Sequence, residues 1–279
     1  MKTVVITGAN TGIGLATAKK FVEDGHHVVL ACRNLDKAQK AKAEISTKGH
    51  GQIDIVELDL NDLNQVKSAA QTLKEKYSQI DILVNNAGLM TPKLEETANG
   101  FEKQIGVNYL GHFVWTMQLL PLLQNAPSGR IIHLASMMHV LGKIDTHQFK
   151  FDSVKKYNGV LSYGNSKLAN LLFSHALAEK LRGTSITSNA IHPGGVDSEI
   201  YRELPNYQYR ALKLFLISPN KPANLIHQIA LSPDWSKKTG QYKSLQTPAF
   251  QSTHAKNRSL AQRLFDETEQ LLKEYLQSI

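Results

Sequence analysis

Val4-Val5-Ile6-Thr7-Gly8-Ala9-Asn10-Thr11-Gly12-Ile13-Gly14 decides the fold. A short run of β-formers passes straight into a glycine-punctuated turn, and a helical pattern from Gly14 to Asp24 begins at once behind it. Glycines let the backbone turn tightly and approach a ligand with no Cβ in the way. A helix N-terminus behind them offers unpaired N–H groups and the positive end of a dipole, which suits an anion such as a pyrophosphate. The spacing is Gly-x-x-x-Gly-x-Gly, so Gly8, Asn10, Thr11, Gly12, Ile13 and Gly14 are candidate binding residues. A plain turn after a strand carries glycines too; placement behind the very first strand favours the binding reading.

Working outward, short apolar runs alternate with longer helical patterns. Val4–Thr7, His27–Ala31, Gln52–Glu57, Ile80–Val84, Arg130–Ala135 and Ser185–Ile191 read as strands, with a weaker run at Gly240–Leu245. Gly14–Asp24, Leu35–Lys48, Leu63–Tyr77, Gly100–Leu123 and Leu161–Arg182 read as helices between them, and Ser259–Gln277 as a capping helix. This alternation predicts an α/β fold: a Rossmann-type doubly wound parallel sheet of about seven strands, with helices on both faces. No repeat or long linker interrupts it, so residues 1–279 form a single domain.

Composition narrows the function. The chain is 42% hydrophobic with a formal net charge of +8. Its lysines are spread over helical patterns with no dense basic run, which points to a solvated surface and away from nucleic acid. The one cysteine, Cys32, lies in an apolar run, reads as a buried structural thiol and fits a reducing compartment. The first strand follows almost directly on Met1, leaving no room for a signal peptide. No stretch approaches the roughly 20 apolar residues of a membrane span. A cytoplasmic protein without a transmembrane anchor is expected. His112, His133, His139 and His192 lack metal-ligand spacing, so no metal site is expected.

Tyr163 and Lys167 stand four residues apart on a predicted helix, about one turn, and so share a face. A nearby ammonium favours the phenolate, bringing a phenol that titrates near ~10 toward use as an acid/base at neutral pH. Behind a phosphate loop, this pair suggests nicotinamide-dependent redox chemistry. The end of the second strand chooses the cofactor. It reads Ala31-Cys32-Arg33-Asn34, with no carboxylate before Asp36. A carboxylate there serves the ribose of NAD, an arginine the 2′-phosphate of NADP. Arg33 selects NADP(H), with NAD(H) as the alternative, and Lys37 is a weaker helper.

These residues together resemble the short-chain dehydrogenase/reductase family, most closely its retinol dehydrogenase group and the related WW-domain oxidoreductase catalytic domain, from Thr3 to about Leu272. The resemblance implies a site residue by residue. Asp59, in Leu58-Asp59-Leu60, contacts the adenine beside Leu60. Asn86, Ala87 and Gly88 belong to the Asn-Asn-Ala-Gly segment after the fourth strand. Asn108, within Val107-Asn108-Tyr109-Leu110-Gly111-His112-Phe113, holds a water behind Lys167. Ser136 ends the fifth strand and holds the substrate oxygen. Tyr163 is the acid/base, Lys167 sets its pKa and binds the nicotinamide ribose, and Pro193 and Gly194 turn against the nicotinamide. Many relatives carry an N-terminal hydrophobic anchor, and this stretch of sequence does not.

The expected activity is interconversion of a small hydrophobic aldehyde or ketone and its alcohol. A non-catalytic NADP(H) sensor and a nucleotide-sugar epimerase or dehydratase are the alternatives. Residues 197–220, rich in Tyr and Leu, read either as a lid over an apolar pocket or as static packing. Met137, Met138 and Leu141 also favour an apolar substrate, and the Phe149–Tyr157 loop is a candidate wall. The resemblance suggests a homodimer or homotetramer formed through residues 100–123 and 161–182, though monomers occur among relatives.

Overall fold

The computed structural model describes residues 1–46, 49–196, 216–245 and 249–277. Seven strands form one parallel sheet in the order β3-β2-β1-β4-β5-β6-β7. They are β1 (Thr3–Thr7), β2 (His27–Cys32), β3 (Ile53–Glu57), β4 (Ile82–Asn85), β5 (Arg130–Leu134), β6 (Thr187–His192) and β7 (Tyr242–Ser244). The intervening helices are α1 (Gly12–Glu23), α2 (Leu35–Ser46), α3 (Leu63–Lys76), α4 (Lys103–Ile105), α5 (Gly111–Gln124) and α6 (Gly159–Lys180). After β6 come α7 (Asn220–Leu231), α8 (Thr253–Lys256), α9 (Arg258–Leu271) and α10 (Lys273–Leu276).

The strands read as nearly unbroken apolar runs because both faces are covered. Their period of two sorts side chains to opposite sides. Val5, Val29, Leu83 and Ile131 join the core beneath α3, α5, α6 and α9. Val4, Ile6, Val28, Leu30, Ile82, Val84 and Ile132 join the other, beneath α1, α2 and α7. Each such side chain, once fully buried, contributes about 1.5–3 kcal/mol. The strand order reverses between β1 and β4, so a crevice opens beyond their carboxyl ends, where open α/β sheets bind ligands.

Three elements differ from the sequence reading. The long helix expected over 100–123 starts at Lys103 and is interrupted by a π-helical turn, Gly106–Leu110, where Gly111 N–H bonds back to the Gly106 carbonyl. Helix α7, with Pro222, Leu225, Ile226 and Ile229 buried, packs against α1 and has no counterpart in that reading. The Phe149–Tyr157 loop contains a short 3₁₀ turn, Phe151–Ser153, and turns Phe149 inward against Tyr109. Residues 197–215, most of the expected lid, lie outside the described residues. Among those described, no helix is long and apolar enough to cross a membrane.

The C-terminal elements close one face. Leu264 and Phe265 of α9 are fully buried, and Phe265 lies against Phe113 of α5 and Phe173 of α6, with ring centroids 5.0 and 6.1 Å away. Tyr109 and Thr268 share a buried hydroxyl–hydroxyl bond of 2.8 Å. Helices α5 and α6, through which association between copies was expected, therefore meet α9 and α10 within the chain.

Candidate active site

The loop after β1 is shaped by its glycines. Gly8 and Gly12 have φ of +64° and +53°, the left-handed region in which a side chain is strained. A Cβ on Gly14 would lie 2.3 Å from the Gly8 carbonyl oxygen and 2.6 Å from Asn86 Nδ2, so only glycine lets α1 begin against the loop. Thr11 is the extended N-cap of α1 and makes no side-chain capping bond, and the first turn holds no acidic residue. Thr11, Gly12 and Ile13 line the crevice, and no carboxylate in that turn competes for the free N–H groups, an arrangement that fits a phosphate group. Cys32 lies buried beneath this loop, and burial pushes its thiol up to about 11, the behaviour of an inert packing residue.

Thr7 joins two crossovers. Its Oγ1 accepts from Asn86 N–H and Ala87 N–H, each at 2.9 Å, and Asn86 Nδ2 donates to the Thr7 carbonyl at 2.7 Å. The segment after β4 is thus pinned to the phosphate loop, and Gly88 is left at the crevice.

Helix α6 carries Tyr163 and Lys167, both buried, with Nζ 5.4 Å from the centre of the phenol ring. Lys167 Nζ donates to the Leu134 carbonyl at 3.1 Å, and burial lowers its ammonium to about 8. Ser136 follows β5 and caps a 3₁₀ turn, Met137–Leu141, accepting from Met138 N–H at 3.2 Å. That geometry leaves its hydroxyl proton for donation elsewhere. Asn108 sits in the π turn, fully buried. Its Oδ1 accepts from Leu89 N–H, and its Nδ2 donates to the Leu89 carbonyl and to Ser166 Oγ. A water held by Asn108 would have to use a second lone pair of Oδ1 or of its main-chain carbonyl.

One cavity of about 420 Å³ gathers these groups. Gly8, Asn10, Thr11, Gly12 and Ile13 line one part, Arg33, Asn34, Asp59 and Leu60 another, and Asn86, Ala87 and Gly88 the floor. Ser136, Tyr163, Lys167, Pro193 and Gly194 line the far end. Two of the expected residues do not reach its wall: Gly14 packs behind the loop, and Asn108 lies behind Gly88, whose absent Cβ would meet Asn108 Oδ1 at 3.3 Å and Lys167 Nζ at 3.4 Å. Arg33 is exposed at the rim, and Asn34 accepts from Lys37 N–H at 2.8 Å. Asp59 is held by Asn61 N–H at 3.0 Å. Among the described residues no group of three or more His, Cys, Asp or Glu converges as metal ligands would.

Residues 2–208 match the family model for short chain dehydrogenase. The chain belongs to the short chain dehydrogenase family. Human retinol dehydrogenase 11 is 38% identical over 268 residues, covering 95% of this chain and 84% of that protein. Mouse retinol dehydrogenase 12 is 39% identical over 275 residues, covering 97% of this chain and 86% of that one. Among solved structures, an uncharacterized protein from Mycobacterium Paratuberculosis superposes with a TM-score of 0.78 at 31% identity, covering 98% of this chain and 94% of its own. The Pseudomonas aeruginosa RhlG/NADP active-site complex superposes with a TM-score of 0.72 at 25% identity, covering 88% and 94%.

For this short chain dehydrogenase, several residues that shape the site were given no part in it by the sequence reading. Leu89, Met90, Val107 and Val196 add apolar wall to the cavity. His139 ties Ser136 in place: its Nδ1 donates to the Ser136 carbonyl at 2.7 Å, and its Nε2 accepts from Ser252 N–H at 3.3 Å. His192 Nδ1 accepts from Met137 N–H at 3.3 Å. Burial lowers both imidazoles, His192 to about 4. The expected wall from the Phe149–Tyr157 loop does not form among the cavity's lining residues. Tyr157 instead receives a 2.7 Å bond from Gln104 Nε2, which also holds the Gly159 carbonyl at 2.9 Å and so fixes the start of α6.

Proposed function

We propose that the chain, acting as one domain over residues 1–279, is an NADP(H)-dependent oxidoreductase that interconverts an apolar aldehyde or ketone and its alcohol. The single observation that carries this reading is the cavity itself: Tyr163, Lys167 and Ser136 open into the same crevice as the glycine loop and Arg33. The uncapped, acid-free start of α1 and the Cβ-free approach at Gly14 suit a dinucleotide pyrophosphate. Arg33 at the rim suits a 2′-phosphate through charge-assisted hydrogen bonds.

When bound, the cofactor supplies the hydride in reduction and takes it up in oxidation. The chain supplies the rest. Reduction builds negative charge on the carbonyl oxygen, and the Tyr163 hydroxyl gives that oxygen its proton; in oxidation the phenolate takes the proton back. Ser136 donates a hydrogen bond to the same oxygen and holds it in place. Lys167, protonated at neutral pH and close to the ring, favours the phenolate. Asn108 holds the Leu89 backbone, so the floor beneath Lys167 keeps its shape. Leu89, Met90 and Val196 give the substrate side an apolar lining. The relatives' name, retinol dehydrogenase, points to an apolar alcohol of that kind.

The test is NADPH oxidation over a panel of hydrophobic aldehydes and ketones, with NADH as control. Turnover with NADPH is expected, together with a loss of about 10²–10⁴-fold in Tyr163→Phe at unchanged NADPH affinity. Intact turnover in that variant sinks the mechanism, and better turnover with NADH sinks the role of Arg33.

A further inference from the structure

We propose that His112 is a positioning residue: fixed as the neutral Nδ1–H tautomer, it ties the Thr7 hydroxyl to the Asn108 carbonyl and so couples the phosphate loop to the floor beneath Lys167. The tautomer follows from a count of protons. A hydroxyl has one proton and two lone pairs. Both lone pairs of Thr7 Oγ1 are taken by Asn86 N–H and Ala87 N–H. Its proton therefore goes out, to His112 Nε2 at 2.9 Å, with the Val84 carbonyl at 3.5 Å the more distant acceptor. Nε2 must then be bare. Nδ1 lies 3.0 Å from the Asn108 carbonyl, which can only accept, so Nδ1 carries the ring proton.

Burial makes this arrangement stringent. His112 is 1% exposed, so the other tautomer would set two donors against each other at Thr7 and two acceptors at Asn108, away from bulk solvent. The path continues beyond Asn108. Its amide grips the Leu89 backbone and donates to Ser166 Oγ, which donates to the Tyr163 carbonyl at 2.8 Å. One imidazole thus stands between the strand end that shapes the phosphate loop and the helix that carries Tyr163.

Two experiments decide this, and only the second, read through NADPH binding and turnover, rests on the function proposed above. In ¹⁵N-labelled, cofactor-free full chain, long-range ¹H–¹⁵N spectra at neutral pH should show His112 protonated at Nδ1 and bare at Nε2. An Nε2–H tautomer or an imidazolium overturns the proposal, and this measurement needs no variant to fold. The second experiment separates the two ends of the ring. His112→Asn offers an N–H near the former Nδ1 and nothing to Thr7, so NADPH Kd should rise about 10-fold with a smaller change in kcat. His112→Gln offers an oxygen near the former Nε2 and nothing to Asn108, so kcat should fall about 10-fold at saturating NADPH with Kd nearly kept; each factor corresponds to one buried hydrogen bond. Equal losses of Kd and kcat in both variants, tracking a lowered Tm, would reduce His112 to a packing residue. Should the parent turn over no carbonyl at all, the catalytic reading fails, while the tautomer and the NADPH affinities still judge His112.

Discussion

Lys167 is charged in a place that penalises charge. Burial alone accounts for its fall to about 8 from the usual lysine range. The sign of the consequence is fixed by linkage. Below about 8 the folded and unfolded chains both hold the proton, and the folded state bears the full cost of the buried ammonium, about 3 kcal/mol. Between about 8 and the ordinary value near ~10.4 the unfolded chain holds more protons, so stability rises with pH. Lys167→Met is therefore expected to be inactive yet more stable at pH 7, by up to about 3 kcal/mol, with the difference shrinking as pH climbs toward 10. Urea unfolding of the cofactor-free pair across pH 7–10 checks this, and parallel curves would contradict it. At this scale, Tyr163, Lys167 and Ser136 were legible because their order behind a glycine loop is informative. His112 was not, since its meaning depends on Thr7, 105 residues away in sequence. The sequence placed it in the Asn108 segment and among histidines without metal-ligand spacing, and gave it no role of its own. Asn108 was legible as a position, while the partners of its amide emerge only once the π turn faces Leu89.

Elements show a similar division. Strands were readable within a residue or two because runs such as Val28-Val29-Leu30 are buried on both faces. The π turn at Gly106–Leu110 was hidden inside one apolar helical pattern, because an inserted residue leaves the hydrophobic run almost unchanged. Helix α7 was missed for a different reason: it follows the expected lid and opens just after Pro219, and no helical pattern was read there. Helix α9 was anticipated as a cap, and its footing is now specific. Phe265 packs against both Phe113 and Phe173, which also touch each other, and Lys180 Nζ sits 4.2 Å from its ring centre. Phe265→Ala should cost about 3–5 kcal/mol in urea unfolding, the usual range for a fully buried ring. A loss below about 1 kcal/mol would show that α9 does not dock on α5 and α6 in solution.

At the scale of the whole molecule, one arrangement serves both the site and the surface. The reversal of strand order between β1 and β4 opens the crevice, and the crossovers at its mouth bring the loop, Arg33 and Tyr163 to one cavity. The helices beneath that site are then left with little to offer a partner. In α6 every residue from Ser162 to Ala178 except Asn165 is buried, and α5 is buried over most of its length. Much of this cover comes from the chain's own C-terminal helices. A sheet flanked by bare α5 and α6 would present a broad apolar surface, the kind that draws copies together; here α9 occupies it. Association between copies is therefore expected to use other surfaces. Hydrogen exchange measured at low and high protein concentration tests this directly. Protection in α5 and α6 should be strong and independent of concentration in the parent. In the Phe265→Ala chain it should weaken at low concentration, as the helix pair loses its cover. Protection of α5 and α6 in the parent that grows with concentration would mean that a second copy, and not α9, covers these helices.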